Sequence, residues 1–205
     1  GGGQVLCGDG AAAEAAGERH RVGQQGNGLR CGEYPAGGLE FLFSVQGDAG
    51  TQLPENGDHL FHRIPVRLGG KAVVGRETEI AGGRYAITCV SMGNPHCVVF
   101  GGDPAEIEIE KVGPKFETAA LFPDRTNTEF VQVLGGNEIK MRVWERGSGE
   151  TWACGTGACS AAVAAVLNGY AARDEDIVVH LRGGDLIVRW TKDTVCMTGT
   201  ATLVF

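Results

Sequence analysis

Short segments of alternating or continuous apolar residues recur along the chain, most of them after residue 64, and they predict strands. The predicted strands are 39–45, 85–90, 97–100, 129–133, 138–145, 177–181, 186–190 and 201–205. Gly183-Gly184-Asp185 separates two of them and predicts a hairpin turn. Residues 106–111 alternate glutamate with isoleucine, a pattern that fits a short helix leading into Gly113-Pro114 or a half-buried strand.

One segment, residues 156–167, predicts a buried helix because its residues are small and apolar on nearly every side. Asn168-Gly169 follows it and predicts the C-terminal stop. A buried helix among many strands indicates an α+β fold in which a barrel-like sheet wraps around the helix.

The first forty residues differ from the rest of the chain in showing little periodicity. Many of the 34 glycines fall in the first fifty positions, beside an alanine-rich run at 11–16. We therefore divide the chain into a remnant or aberrant N-terminal domain, 1–45, and a C-terminal domain, 46–205.

Composition narrows the class of protein. Hydrophobic residues make up 42% of the chain, enough for a core, and the net charge of −7 argues against a nucleic-acid partner. No apolar run approaches the roughly 18–20 residues of a membrane helix, so no membrane partner is expected. The seven cysteines lack a regular spacing, and no signal pattern opens the chain, which together predict a cytoplasmic protein.

Cys154 immediately precedes the predicted helix and is followed by Gly155-Thr156-Gly157. Glycines let the backbone bend tightly, and the first N–H groups of a helix favour an anion such as a carboxylate or a thiolate. The position predicts a thiol with a lowered pKa that can act as a base toward a carbon-bound proton. A structural cysteine beside a glycine-rich turn is the alternative.

The neighbours of Cys154 favour catalysis. Glu145 and Arg146 lie at the end of the preceding strand, where an arginine can bind a carboxylate and a glutamate an ammonium group. Cys159 falls inside the helix and is expected in the core. No second Cys or His pair has the spacing of a metal site, so no metal is expected.

Two further polar segments could join the site. Residues 92–96, with Asn94 and His96, interrupt two predicted strands, and their alternative is an ordinary Asn-Pro turn. Residues 125–129, with Asn127, lead into a strand, and their alternative is a solvated loop.

Taken together, these segments closely resemble the diaminopimelate epimerase family. The matching stretches are VSMGNPHC at 90–97, GP at 113–114, FPDRTNTEF at 122–130, RVWERGSGET at 142–151 and ACGTGAC at 153–159. The resemblance runs from about residue 64 to the end.

This resemblance implies two pseudo-symmetric, barrel-like sheet domains, each around a central helix, of which the first is expected to be incomplete here. It implies an isomerase that interconverts LL- and meso-diaminopimelate, in lysine and peptidoglycan-precursor biosynthesis, with neither a metal nor pyridoxal phosphate as cofactor. Two cysteines work from opposite faces of the α-carbon. The expected partners are a small amino-acid substrate and a second copy of the chain in a homodimer.

The resemblance also implies roles for individual residues. Cys154 corresponds to the catalytic cysteine of the second domain, and His96 and Glu145 would assist the cysteines. The implied substrate-binding residues are Asn27, Asn94, Asn127, Glu145, Arg146, Gly155 and Thr156.

The sequence departs from the family in the first domain. The family motif is Cys-Gly-Asn-Gly-X-Arg-Cys, and Gln25 stands here where its first cysteine, the partner base, belongs. The family's opening Gly-Asn-Asp segment is not recognisable, and the chain is expected to stop before the closing strand. Because glutamine does not carry protons near neutral pH, an impaired homologue or fragment that at most binds amino acid stays open beside the epimerase.

Two other enzyme classes fit less well. A proline or hydroxyproline racemase is disfavoured by the Glu145-Arg146-Gly147 text, and a cysteine hydrolase lacks a Cys-His-Asn pattern.

Overall fold

The computed structural model describes residues 66–68, 72–192 and 194–200 with their side chains, and the backbone of four strands nearer the N-terminus. The strands are β1 (Gln4–Cys7), β2 (Ala11–Glu14), β3 (Gly28–Glu33), β4 (Leu39–Ser44), β5 (Arg76–Ile80), β6 (Gly83–Ser91), β7 (Pro95–Phe100), β8 (Asn127–Gly135), β9 (Glu138–Glu145), β10 (Gly149–Thr151), β11 (Asp176–Leu181), β12 (Gly184–Trp190) and β13 (Val195–Gly199). The helices are α1 (Ile109–Glu117), α2 (Gly155–Leu167) and a 3-10 turn at Pro104–Glu106.

Most strands belong to one mixed sheet, in the order β3-β4-β13-β12-β11-β9-β8-β7-β6-β5, with β10 paired to β9. The β7–β8 and β9–β11 pairs are parallel. The other pairs are antiparallel, including β1–β2, which forms a separate ribbon. The described residues thus combine a large mixed sheet with few helices, and the predicted α+β class is confirmed.

Helix α2 packs against seven strands of this sheet, β6 to β9 and β11 to β13. Residues from Ala158 to Ala165 are fully buried, since their small side chains let the surrounding strands approach closely. The helix ends at Leu167 with Asn168 as its C-cap, and Gly169 follows with φ 75°, a left-handed conformation that favours glycine. The predicted buried helix and its stop are both confirmed.

Helix α1 packs on the other face of β6 to β9. Side chains alternate along β8, so that Val131 belongs to the core around α2 while Phe130 belongs to the core around α1. The helical alternative for residues 106–111 is confirmed only from Ile109, where α1 begins, and the helix continues through Gly113 and Pro114. A Cβ atom at Gly113 would lie 2.4 Å from the Trp144 ring, so the close approach of that indole explains the glycine.

The sequence pattern missed β5, β10 and β13 in the C-terminal part, as well as β1, β2 and β3 nearer the N-terminus. β5 has the sequence RETEI, in which charged residues hide the apolar alternation, and β10 has only three residues. The predicted strand 39–45 agrees with the backbone of β4, which pairs with β13. The predicted strand 201–205 lies outside the described residues.

Other predictions about the N-terminal part are not tested. The boundary between 1–45 and 46–205 stays a prediction, as does the expectation that the first of the two pseudo-symmetric domains is incomplete. Among the helices described, none is long and apolar enough to span a membrane.

Candidate functional site

Cys154 is the N-cap residue of α2. Its backbone is extended, with φ −138° and ψ 109°, and the Gly157 N–H donates to its Sγ over 3.3 Å. The thiol is nearly buried, with 8% of the residue exposed. A Cβ atom at Gly157 would lie 3.1 Å from Sγ and 2.9 Å from Oε1 of Glu129, so a larger residue cannot fit between the two side chains without a shift.

A chain of side-chain hydrogen bonds connects Cys154 to the 92–96 segment. Sγ lies 3.6 Å from Oγ1 of Thr156, and Nδ2 of Asn94 donates to the same hydroxyl over 3.4 Å. Oδ1 of Asn94 lies 3.0 Å from Nε2 of His96. The predicted Asn-Pro segment is therefore part of the site, and His96 is fully buried behind it.

The sequence analysis missed Glu129, although it lies in the quoted FPDRTNTEF stretch. Its carboxylate is fully buried, and Oε1 lies 2.7 Å from Nδ1 of His96. Alternation along β8 places Asn127, Glu129 and Val131 on one face. That alternation was the available signal, because an acidic residue in phase with a core valine is unusual in a strand.

Asn127 and Arg146 form a second part of the site. Oδ1 of Asn127 accepts the backbone N–H of Arg146 over 2.8 Å, and Nδ2 donates to the carbonyl of Pro95 over 2.9 Å. The guanidinium of Arg146 donates to the carbonyl of Asp124 over 3.1 Å. Asn127 thus holds the turn after β9 against the start of β7.

The same turn is held from the α1 side by Glu117, which was not predicted either. Its carboxylate accepts the indole N–H of Trp144 over 2.8 Å and the backbone N–H of Gly147 over 3.1 Å. Arg125 also donates to it over 3.3 Å. Glu117 therefore binds the residues on both sides of Glu145 and Arg146, through the Trp144 side chain and the Gly147 backbone.

Glu145 lies between the two parts of the site. It is 6% exposed, and the hydroxyl of Thr151 on β10 donates to its Oε1. Its charge acts on both Cys154 and Glu129. Two carboxylates therefore lie close to the sulfur, and the nearest guanidinium of the turn, that of Arg146, donates to a backbone carbonyl.

The predicted lowering of the Cys154 pKa is wrong for this structure. Burial raises the pKa of the Cys154 thiol to about 12, and the charges of Glu129 and Glu145 act in the same direction. The hydrogen bonds from Thr156 and Gly157 oppose this rise but are weaker. The helix N-terminus does not produce a thiolate here because desolvation and two carboxylates outweigh it.

The structure thus brings together most of the predicted residues. Cys154, Thr156, Asn94 and His96 form one chain of contacts, and Gly155 opens α2 beside them. The roles assigned to these residues stay predictions, as do those of Asn127, Glu145 and Arg146. Asn27 and Gln25 lie outside the described residues. Cys159 is fully buried, as expected of a core residue.

Comparison with known proteins identifies relatives of the chain. The family model described as diaminopimelate epimerase matches residues 88–204. A diaminopimelate epimerase of Desulfitobacterium hafniense is 42% identical over 201 residues, covering 88% of this chain and 70% of the relative. One from Agathobacter rectalis is 59% identical over 128 residues, covering 61% of this chain and 44% of the relative.

A solved structure described as a predicted epimerase from Pseudomonas aeruginosa aligns with 20% identity and a TM-score of 0.46, covering 92% of this chain and 67% of its own. The chain spans about half the length of several of the curated relatives that it matches, 50% and 52% in two further cases. The family model covers more than half of the chain, and the Desulfitobacterium relative is matched over more than two thirds of its length. The chain therefore belongs to the diaminopimelate epimerase family.

Proposed function

We propose that the protein catalyses epimerisation of LL-2,6-diaminopimelate to meso-diaminopimelate, with Cys154 transferring the α-proton on one face of the substrate and with no cofactor. The observation that carries the proposal is the position of Cys154 at the start of α2, beside Glu145 and the Asn94–Thr156 contact. The family membership supplies the substrate.

The site suits an amino acid because it offers backbone donors, a guanidinium and a carboxylate on adjacent elements. The N–H groups of Gly155 and Thr156 open α2, where backbone donors have no intrahelical acceptor and attract a carboxylate. Arg146 adds a guanidinium nearby in the turn after β9. The carboxylate of Glu145 would bind the α-ammonium group.

Binding an ammonium group also changes the acidity of the thiol. The negative charges of Glu129 and Glu145 contribute to the raised pKa of Cys154. A cation paired with Glu145 cancels part of that charge, so the substrate itself would favour the thiolate. The protein would then rest as the thiol and ionise only with substrate in place.

In the proposed reaction, a thiolate on one face takes the α-hydrogen as a proton, and the C–H electron pair is delocalised into the adjacent carboxylate group. A thiol on the opposite face donates a proton to the α-carbon, which inverts its configuration and leaves that sulfur as a thiolate. The proton count is unchanged over one turnover, and no redox change occurs. Cys154 serves as base for one stereoisomer and as acid for the other.

A second candidate function rests on Gln25. That residue occupies the place of the partner cysteine in the family motif, and an amide neither gives up nor takes a proton near pH 7. A chain with one competent face would bind diaminopimelate and exchange an α-proton but would invert it very slowly or not at all.

Proton NMR in deuterium oxide, with LL and meso substrates incubated separately, distinguishes the two candidates. The epimerase reaction requires that the natural chain form the opposite isomer, whereas the second candidate predicts α-proton exchange with little or no inversion, and a gain in turnover for Gln25→Cys. Rapid inversion by the natural chain would show that another group supplies the second face. Inversion by neither protein, under conditions where both bind substrate, would favour the second candidate.

The predicted compartment and oligomeric state belong to the same proposal. We propose that the protein acts in the cytoplasm as a homodimer, on the strength of the family resemblance and the cysteine usage. Light scattering of the purified chain measures the molar mass directly, and a monomer at micromolar concentration would contradict the dimer.

A further inference from the structure

The reaction proposed above gives no role to the fully buried carboxylate of Glu129. Oε1 contacts Nδ1 of His96 at 2.7 Å, whereas Oε2 is buried and has no hydrogen-bond partner in the described part of the chain. An ionised carboxylate with one bare oxygen is costly in the protein interior. If Oε1 carries a proton and donates it to Nδ1, Oε2 becomes an uncharged carbonyl oxygen, and that cost falls.

The neighbouring contacts fit this protonated arrangement. Nδ2 of Asn94 donates to Thr156, so that its Oδ1 faces Nε2 of His96, which must then be the donor. The N–H of His96 therefore lies on Nε2, and Nδ1 accepts from Glu129. Burial also raises the pKa of Glu129, which favours the proton on this carboxylate.

In this arrangement the chain of hydrogen bonds ends with donors at the sulfur. The hydroxyl of Thr156 accepts from Asn94, so its own hydrogen points to Sγ of Cys154, 3.6 Å away. The N–H of Gly157 also donates to Sγ. Two donors at one sulfur stabilise a thiolate.

Loss of the shared proton reverses the chain. His96 then needs its hydrogen on Nδ1 to bind the charged Glu129, and its Nε2 becomes an acceptor. The amide of Asn94 turns over to donate to Nε2, and its Oδ1 accepts the hydroxyl of Thr156. That hydroxyl can no longer donate to Cys154, so the sulfur keeps its proton and donates it to Oγ1.

We propose that Glu129 is a positioning residue of the Cys154 centre: a proton shared with His96 sets the direction of the hydrogen-bond chain, and thereby whether the sulfur accepts or donates. The proposal rests on the proposed function only in assuming that the Cys154 thiolate removes the α-proton of the substrate. It requires a carboxylate at residue 129, next to a glycine at residue 157 that leaves room for it.

Other titratable groups surround the same region. Glu145 on β9 acts on both Cys154 and Glu129, and the fully buried Cys97 on β7 lies near Glu129. α2 carries no charged residue. A change at Glu129 therefore leaves the charge of Glu145 in place, and the contribution of Glu129 can be measured against it.

The test is the pH dependence of Cys154 alkylation by iodoacetamide, followed by peptide mass spectrometry on the full chain. Glu129→Gln replaces the protonated carboxyl by an amide of the same shape, whose N–H donates to Nδ1 of His96 at every pH. We expect the alkylation profile to move to lower pH, with a rate gain of about tenfold for each unit of pKa lowering. An unchanged or slower rate in Glu129→Gln would overturn the proposal.

A second variant separates the hydrogen-bond chain from simple charge. Thr156→Val interrupts the chain, and we expect it to slow alkylation and to remove most of the gain produced by Glu129→Gln in the double variant. A gain that persists undiminished in the double variant would mean that Glu129 acts only by direct repulsion, and the proposal would fail. Because Thr156 is partly exposed, the single variant is informative even if Glu129→Gln does not fold.

Ser160→Ala is the matched control, because Ser160 is fully buried in α2 and its Oγ has no partner among the described residues. We expect it to leave the Cys154 profile unchanged, and thermal unfolding of each variant verifies the fold. Alkylation requires no turnover. Failure of this proposal is thus distinguishable from failure of the proposed epimerase function, which is measured with substrate.

Discussion

Strands β6 to β9 carry two cores of different chemistry, one on each face. On the α1 face, Phe116 makes edge-to-face contacts with Tyr85 at 5.0 Å and Phe130 at 5.4 Å between ring centroids. The α2 face is lined by small and aliphatic residues, and it ends in the polar cluster of Glu129 and His96. The same sheet therefore stabilises the fold on one face and holds buried ionisable groups on the other.

Strand β8 shows the difference between neighbouring residues. Phe130 and Glu129 are both buried, but they point to opposite faces. Burial of a phenylalanine stabilises the fold by roughly 1.5–3 kcal/mol, whereas an unsatisfied buried polar group destabilises it by about 1–3 kcal/mol. Packing around α1 and α2 must therefore offset the cost of the buried polar groups on this face.

The largest expected effect comes from a charge inside the helix core. Ala162→Asp or Ala165→Asp introduces an unpaired charge at a fully buried position of α2, at a cost of several kcal/mol (about 3–5). We expect loss of cooperative thermal unfolding. Leu134→Asp, at a residue that is 49% exposed, is the control and should unfold nearly as the natural chain does. Unchanged stability of the Ala162 variant would mean that α2 is not buried.

The next effect tests the aromatic face. Phe116→Ala removes a fully buried ring that contacts two others and should cost about 3–5 kcal/mol. Denaturant unfolding measures this loss, and the pH profile of Cys154 alkylation below the transition should stay unchanged. A shifted profile would show that the two faces are not independent.

A smaller effect concerns the pH dependence of stability on the polar face. Burial raises the pKa of Glu129 in the folded protein, so the folded state binds its proton more tightly than the unfolded state does. The stability conferred by this proton is fully present below the unfolded value of about 4.3 and is lost as pH rises through the folded pKa. Glu129→Gln should remove this loss and be more stable than the natural chain at pH 8, by on the order of 1 kcal/mol.

Urea unfolding of both proteins between pH 4 and pH 8 measures the difference. Equal slopes of stability against pH would contradict the protonated Glu129–His96 pair.

The smallest expected effect is the contribution of an exposed ion pair, His180 with Asp185, to stability, compared with that of the buried Glu129–His96 pair. The hydrogen bond from His180 to Asp185, over 2.8 Å on the β11–β12 hairpin, raises the pKa of His180. Its contribution is present below about pH 6.5 and lost as pH rises through the folded pKa. Because Asp185 is exposed, His180→Asn should lose only about 0.5 kcal/mol or less at pH 5, and nothing at pH 9. Thermal unfolding at the two pH values measures this, and a loss of equal size at both would refute an electrostatic origin.

The sequence predicted the elements whose periodicity is strong. The predicted strand 138–145 has the bounds of β9, and the helix at 156–167 differs from α2 by one residue. β5 and β13 were not predicted because neither shows clear local alternation. β5 is a strand through its pairing with β6, and β13 through its pairing with β12 and β4. The helix predicted to lead into Gly113-Pro114 continues past them, because the proline in α1 removes only one backbone donor and does not end the helix.

The sequence identified most residues of the site, but it did not predict the pKa of Cys154. The sequence motifs identified Cys154, Asn94 and His96, and the structure connects them by hydrogen bonds through the hydroxyl of Thr156. The raised pKa of Cys154 could not be predicted from a helix N-terminus, because it depends on burial and on carboxylates that come from β8 and β9. Glu129 was overlooked although it alternates in phase with Val131, because only the fold shows that this face of β8 meets α2.

The central claim is that Cys154 transfers an α-proton of diaminopimelate on one face. Proton NMR in deuterium oxide tests this claim through loss of the α-hydrogen signal, with the natural chain and Cys154→Ser compared on each stereoisomer. We expect the natural chain to exchange the α-hydrogen of one stereoisomer faster than the other, and Cys154→Ser to exchange neither. Exchange that survives in Cys154→Ser, or no exchange by a natural chain that binds substrate, would contradict the account.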